Sequence, residues 1–179
     1  LVRIHEMGTG EAGSYLALLI GVGGAIGIYL GGRAADALSL RYGQQWLPWL
    51  VGIVNLAVLP LLYLAFTAPT PMLAIAFYAL PAILGTVYVA PGFALIQNIT
   101  PIEMRSVAAA INLFITNIIG LGLGPFTVGF FSDYFGETHG IDGLRYGLMM
   151  TLVIAVWAVF HYYRCGVSIR SAANTAKMH

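Results

Sequence analysis

The sequence predicts an all-α membrane protein with five transmembrane helices. Three observations carry that reading. Residues 42–102 hold no Asp, Glu, Lys or Arg over roughly sixty positions, about twice what one bilayer crossing needs. Charged residues make up 8% of the chain and hydrophobic ones 59%, against about 25% charged in a soluble domain. The few charges that exist fall between uncharged blocks, where helix ends would meet water.

The elements follow in order. The uncharged block 12–32 predicts a first span near 12–34. The long block divides at Thr67-Ala68-Pro69-Thr70-Pro71, whose prolines and small polar residues favour a turn. Spans near 46–67 and 71–98 result. Block 106–132 predicts a fourth span near 102–131. Thr100-Pro101-Ile102-Glu103 before it has the residues of a capping box, with Pro at the first helical position. Block 146–163 predicts the fifth and shortest span, near 144–164, and 165–179 reads as a tail.

Charge asymmetry orients the spans, because Lys and Arg resist translocation. Arg33, Arg41, Arg105, Arg164, Arg170 and Lys177 fall on one side. Arg3 and Arg145 fall on the other, with Glu6, Glu11, Asp133, Glu137 and Asp142. The basic side is expected to be cytoplasmic, in a cell (inner or plasma) membrane, with the N-terminus of this segment outside and its C-terminus inside. Trp46 and Trp49 sit where an interfacial aromatic belt is expected. Asn98-Ile99-Thr100 matches a glycosylation acceptor but falls on the expected cytoplasmic side. The chain opens without a basic n-region and cleavage site, so no signal peptide is expected, and it reads as an excerpt from a longer protein.

Glycines mark the first and fourth spans. A shift of about 97 residues lays Gly23 on Gly120, Gly27 on Gly124, Gly32 on Gly129 and Asp36 on Asp133. The two spans run in opposite directions, which is the pattern of an inverted-topology repeat. Gly23, Gly27 and Gly31 recur every four residues and share one helix face. Such a stripe lets a second helix approach closely in lipid, either as static packing or as a sliding contact. Pro125 frees a backbone carbonyl and is expected to bend the fourth span. Pro81 and Pro91 give the third span two expected bends.

The absences narrow the chemistry. No Asp, Glu, Lys or Arg lies at mid-depth in any span. Glu11 and His161 stand at the boundaries. One cysteine, Cys165, excludes an internal disulfide. No catalytic constellation and no metal-ligand spacing appear, so no enzyme activity, cofactor, metal or nucleic-acid partner is expected.

The segment GGRAADALSLR resembles the signature loop of the major facilitator superfamily through Gly31, Gly32, Ala35, Asp36 and Arg41. Ala37 stands where that family prefers a basic residue, and Arg33, one turn earlier, is a substitute charge. The stretches LVRIHEMGTGEAG, YVAPGFALIQNITPIEMRSVAAAINLFITNIIGLGLGP and GFFSDYFG…LRYGL are similar to its Spinster-like family. The resemblance implies a twelve-helix fold of two six-helix halves, with this chain supplying helices eight to twelve. The first half and helix seven would be its partners within the same protein. Asp36 would dock at a helix N-terminus of the first half and hold the cytoplasmic side closed, alongside Gly31, Gly32, Arg33 and Arg41. Gly120, Gly124, Pro125 and Gly129 resemble an antiporter-type motif.

The resemblance also implies that helices eight, ten and eleven line a substrate cavity while nine and twelve face lipid. The polar residues on the three lining spans are Ser14, Tyr15, Tyr78, Thr86, Tyr88, Asn112, Thr116 and Asn117, with Gln97 near an inner end. Thr86 and Thr116 also fit simple backbone bonding. Asn117 fits a cavity role or an interhelix hydrogen bond. The implied activity is secondary active transport of an amphipathic lysophospholipid or sphingoid phosphate, driven by protons. Transport of small organic anions, or a non-transporting membrane subunit or sensor, are the competing expectations.

Overall fold

The computed structural model describes residues 1–176, so Lys177 of the expected basic set lies outside the described residues. A short helix α1 (Val2–His5) precedes α2 (Thr9–Tyr42), α3 (Trp46–Thr67), α4 (Pro71–Leu84) and α5 (Val89–Ile99). A 3-10 turn (Ile102–Met104) leads into α6 (Arg105–Ile115), a π-helical stretch (Thr116–Leu123) and α7 (Gly124–His139). A second 3-10 turn (Gly140–Asp142) then leads to α8 (Gly143–Ala176).

Four stretches are long and apolar enough to cross a membrane: Thr9–Tyr42, Trp46–Thr67, Pro71–Ile99 and Ile102–Thr175. The last, at 74 residues, greatly exceeds the roughly 20 that a crossing needs. It folds back at Gly140, whose φ of 58° ends α7, and α7 then packs along α8. Five long helical runs result among the described residues: α2, α3, α4 with α5, α6 through α7, and α8.

Several boundaries differ from the sequence expectation. The first helix runs to Tyr42 rather than 34, because Arg33 to Tyr42 contain no helix breaker. Gly43 ends it with φ 98° and an N–H bond to the Ser39 carbonyl at 2.9 Å. The fourth span extends to His139 and the last helix to Ala176. The third span is two helices, with one break at 85–88 in place of two proline bends. Pro81 lies inside α4 and Pro91 in the first turn of α5.

The capping box is also corrected. Thr100 donates its hydroxyl to the Ile96 carbonyl at 2.6 Å instead of receiving an N–H from the next helix. A Thr hydroxyl readily bonds back to the carbonyl four residues earlier, and here that carbonyl belongs to the end of α5. The Thr70 turn behaves as a cap: its side chain accepts from Leu73 N, with Pro71 opening α4.

Helix α3 is the hub, packing on α2, α4, α5 and α8. Leu47, Val51, Val58 and Ala65 are buried along it. Helix α8 packs on α3 and α7. Its Gly143 and Gly147 sit against the backbone of Ser132, Gly136 and Val128 in α7, at distances that leave no room for a Cβ. This is the close approach that small residues permit in lipid.

One end of the bundle gathers α1, the 67–70 turn and the 140–142 turn. Arg145 ties it together. Its Nη1 pairs with Asp142 at 3.1 Å and its Nη2 donates to the Ala68 carbonyl at 3.4 Å. Hydrogen bonds from charged groups contribute about 1.5–3 kcal/mol. Arg145→Met is expected to lower the unfolding temperature of the full-length protein in detergent by several degrees. Arg170→Met, an exposed site, is expected to leave it unchanged. Equal melting temperatures for the two variants would remove Arg145 from the account of the fold.

Candidate functional site

Two polar-bearing regions emerge from the packed helices. The first is the crossing of α2 over the break between α4 and α5. The chain there makes tight turns: Gly85 N bonds to the Pro81 carbonyl at 2.7 Å, and Val87 N to the Leu84 carbonyl at 3.1 Å. Pro91 has no N–H, so the Val87 carbonyl lacks its usual helical donor four residues on. The Val87 carbonyl and the neighbouring Ile83 carbonyl face the glycine stripe of α2. A Cβ at Gly27 would overlap the Ile83 carbonyl oxygen and the Thr86 hydroxyl, and one at Gly31 would overlap the Val87 carbonyl. At Gly23 a Cβ would crowd Ile83 Cγ1 at 3.1 Å.

Thr86 closes this crossing. Its Oγ1 lies 3.0 Å from the carbonyl oxygens of both Gly24 and Ile83. It carries one proton and donates to either. Thr86 thus fits the expected bonding to its own helix through Ile83 and also reaches the backbone of α2 through Gly24, a link that was not expected. Gly23, Gly27 and Gly31 are closely packed against the α4–α5 break in this conformation.

The second region is the run α6, π stretch and α7. No residue of α6 or of the π stretch is buried. The run packs on α5 at its start and on α8 along α7. Asn112 is half-buried, whereas Thr116 and Asn117 are exposed. Asn117 donates its amide to the Leu113 carbonyl of its own helix at 2.7 Å. Gly120, Gly124 and Gly129 have open space where a Cβ would stand. The sequence equivalence with Gly23, Gly27 and Gly32 therefore pairs a filled stripe with an open one.

The π register was not anticipated. Its signal was the Gly120-Leu121-Gly122-Leu123-Gly124-Pro125 string. Glycine imposes little restriction on the backbone, and Pro125 withholds a donor. The Gly124 N–H bonds to the Ile119 carbonyl, five residues back, and Pro125 then falls in the first turn of α7, where a missing N–H is tolerated. Wide turns of this kind frequently occur at functional sites.

The other candidates are scattered. Ser14 donates to the Gly10 carbonyl at 2.9 Å on the exposed side of α2, and Tyr15 is half-buried one position on. Tyr78 lines a cavity of about 460 Å³ with Leu16, Leu19 and Phe66, at the end of the bundle that holds α1. Tyr88 is exposed at the helix break. The structure brings Thr86 to the α2 glycines. It leaves Asn112, Thr116 and Asn117 on a separate face.

The signature segment is helical and not a loop, for the reason given for α2. Gly31 is buried and Gly32 half-buried, whereas Arg33, Asp36 and Arg41 are exposed. Arg33 donates to the Tyr29 hydroxyl at 3.2 Å, and the Arg41 guanidinium lies over the Tyr42 ring at 5.2 Å. Among the described residues no group of three His, Cys, Asp or Glu is placed to hold a metal ion.

The chain is 38% identical over 159 residues to an MFS-type efflux pump of Mycolicibacterium smegmatis (strain ATCC 700084 / mc(2)155). The likeness is to a protein of the major facilitator superfamily. The match covers 89% of this chain and 36% of the pump, so the chain spans about a third of the length of the curated relative it matches. The all-helical architecture with its four long apolar stretches fits a fragment of a major facilitator fold. No protein-family model matches the chain, and no solved structure does.

The crossing generates a contrast between two glycines of α2. Gly27→Ala is expected to destabilise the full-length protein by about 1–3 kcal/mol, as overpacking does. Gly21 faces open space, so Gly21→Ala is expected to be neutral or stabilising by about 0.5–1 kcal/mol. Thermal unfolding followed by size-exclusion chromatography measures both, and equal losses would show that the crossing is not close-packed.

Proposed function

We propose that the chain is the helix-eight-to-twelve portion of a secondary active transporter that exports an amphipathic molecule by alternating access. The observation that carries this reading is the 38% identity to an MFS-type efflux pump across 89% of the chain. In this reading α2, α4 with α5, and the α6–α7 run form one side of a cavity near the membrane midplane. The exposed face of α6 and the π stretch is the substrate-facing wall.

The side chains of that wall support an amphipathic cargo. Ile111, Phe114, Ile118 and Leu121 are exposed apolar residues on it, with Asn112, Thr116 and Asn117 as its polar points. Asn117 satisfies half of its amide within its own helix and keeps an acceptor for substrate. Tyr88, Tyr78, Ser14 and Tyr15 supply the remaining hydroxyls. The Spinster-like resemblance narrows the cargo to lysophospholipids or sphingoid phosphates. Small organic anions require a basic residue in the cavity, and no span here carries one at mid-depth.

Protons are the proposed driving ion, with the titratable carboxylate supplied by the first half of the protein. The α2–α5 block, tied by its glycine crossing, moves as one body. The π stretch ahead of Pro125 is the flexible element between α6 and α7. Asp36, exposed at the basic end of α2, docks on the first half when that end is closed. The membrane in this reading is the cell membrane, with the basic end cytoplasmic.

Full-length protein in proteoliposomes, supplied with a labelled lysophospholipid, tests the reading. Transport is expected to require an imposed pH gradient and to fall roughly tenfold in Asn117→Leu, the order of a lost hydrogen bond to substrate. The unfolding temperature is expected to stay within a few degrees. Well-folded protein that moves no lysophospholipid under a gradient removes that substrate class. Transport that ignores the gradient removes proton coupling.

A further inference from the structure

A second recess lies between α3 and α8, and none of its lining residues belongs to the proposed cavity wall. It is a groove of about 470 Å³ between α3 and α8, lined by Trp46, Trp49, Gly52, Leu56, Phe160 and Tyr163 among others, all apolar or aromatic. Leu56 and Phe160 are more than half exposed, so the groove opens sideways toward the acyl chains of a bilayer.

The groove is built, not left over. Trp46, Trp49 and Gly52 recur every three residues in α3, and Phe160, Tyr163 and Gly166 do so in α8. The helices run antiparallel, so the aromatics of one meet the glycine of the other. Gly166 makes room for the Trp49 indole, where a Cβ would overlap it, and Gly52 makes room for Tyr162. Trp49 Nε1 then donates to the Tyr163 carbonyl at 3.2 Å. That bond fixes the indole as a wall and satisfies its N–H, which an apolar groove otherwise leaves unpaired.

A cationic ladder leads out of the groove at the end that holds the 43–45 turn. Trp49 and Trp46 meet edge to face at 5.7 Å between centroids. Trp46 meets Tyr42 at 5.6 Å, and Arg41 lies over the Tyr42 ring at 5.2 Å. Arg164 follows Tyr163 in α8 and stands one helical turn after Phe160, on the helix opposite Trp46 and Trp49. Among the described residues neither Arg41 nor Arg164 forms an ion pair, and both are exposed. An apolar slot that faces lipid and ends at two uncompensated guanidiniums is complementary to one class of molecule.

We propose that this groove selectively holds an anionic phospholipid of the surrounding membrane. One acyl chain lies against Trp49 and Phe160, and the phosphate sits between Arg41 and Arg164. Each guanidinium near an anionic lipid headgroup adds attraction, and Arg binds phosphate oxygens in a planar fork. The site is independent of which substrate the protein carries.

Native mass spectrometry of the full-length protein, titrated with phosphatidylglycerol and with phosphatidylcholine of the same chains, tests this. The phosphatidylglycerol adduct is expected to form about tenfold more tightly. The double variant Arg41→Gln/Arg164→Gln is expected to bring the two lipids to equal affinity. Ile53→Trp, which narrows the groove from an exposed position, is expected to weaken both. Equal affinities in the unmodified protein, or selectivity that survives the double arginine variant, overturn the proposal.

A fluorescence measurement that does not depend on the arginine variants accompanies it. In a background in which every tryptophan of the full-length protein except Trp46 and Trp49 is replaced by Phe, Trp157 included, phosphatidylglycerol brominated on its acyl chain is expected to quench Trp46 and Trp49 at lower lipid fractions than brominated phosphatidylcholine does. Quenching at identical fractions also overturns the proposal.

Discussion

Everything in this bundle depends on how closely α2 approaches the interrupted helix between α4 and α5. Water cannot satisfy backbone groups in the hydrocarbon, so a break in a spanning helix must be covered by protein. Gly27 and Gly31 do this by bringing bare backbone against the Ile83 and Val87 carbonyls. Thr86 adds a hydroxyl proton that reaches across to the Gly24 carbonyl of α2. Hydrophobicity gives no drive for helices to associate within lipid. Contact area and these few polar links are what hold α2 in register with its neighbour.

The same device recurs elsewhere with different residues. Gly143 and Gly147 seat α8 on α7, and Gly52 and Gly166 seat α8 on α3 around the indole of Trp49. Most other hydroxyls and amides in the spans bond within their own helix, as Asn55, Thr127 and Thr151 do. Such bonds satisfy the side chain without linking elements. The connected unit is α2, α3, α4, α5 and α8, with α7 attached along α8. The run from α6 through the π stretch is the least covered part of the chain, and it carries the widest backbone register.

Much of the architecture was legible because lipid makes composition decisive. The uncharged runs located the spans, and Thr67 to Pro71 located a turn that Thr70 and Pro71 do form. Local rules failed where a competing partner was near. Thr100 had an acceptor one turn back, so it never capped the next helix. The segment expected as a loop had only helix-compatible residues before Gly43 and stayed helical. Of the candidate residues, Thr86 and the α2 glycines converge, whereas Asn117 and Thr116 stand apart from them. Sequence spacing identifies a shared face on one helix and says nothing about which helix meets it.

The sequence by itself determined that this chain is helical, that its long runs are apolar enough for a membrane and where its charges lie. Those properties follow from hydropathy and from the cost of burying charge in hydrocarbon, both of which are additive along the chain. Tertiary structure decided that one glycine stripe is filled and its counterpart open, that the third span breaks at 85–88, and that Trp49 lies over Gly166. These depend on distances between backbones more than a hundred residues apart in places, and no local pattern encodes such distances.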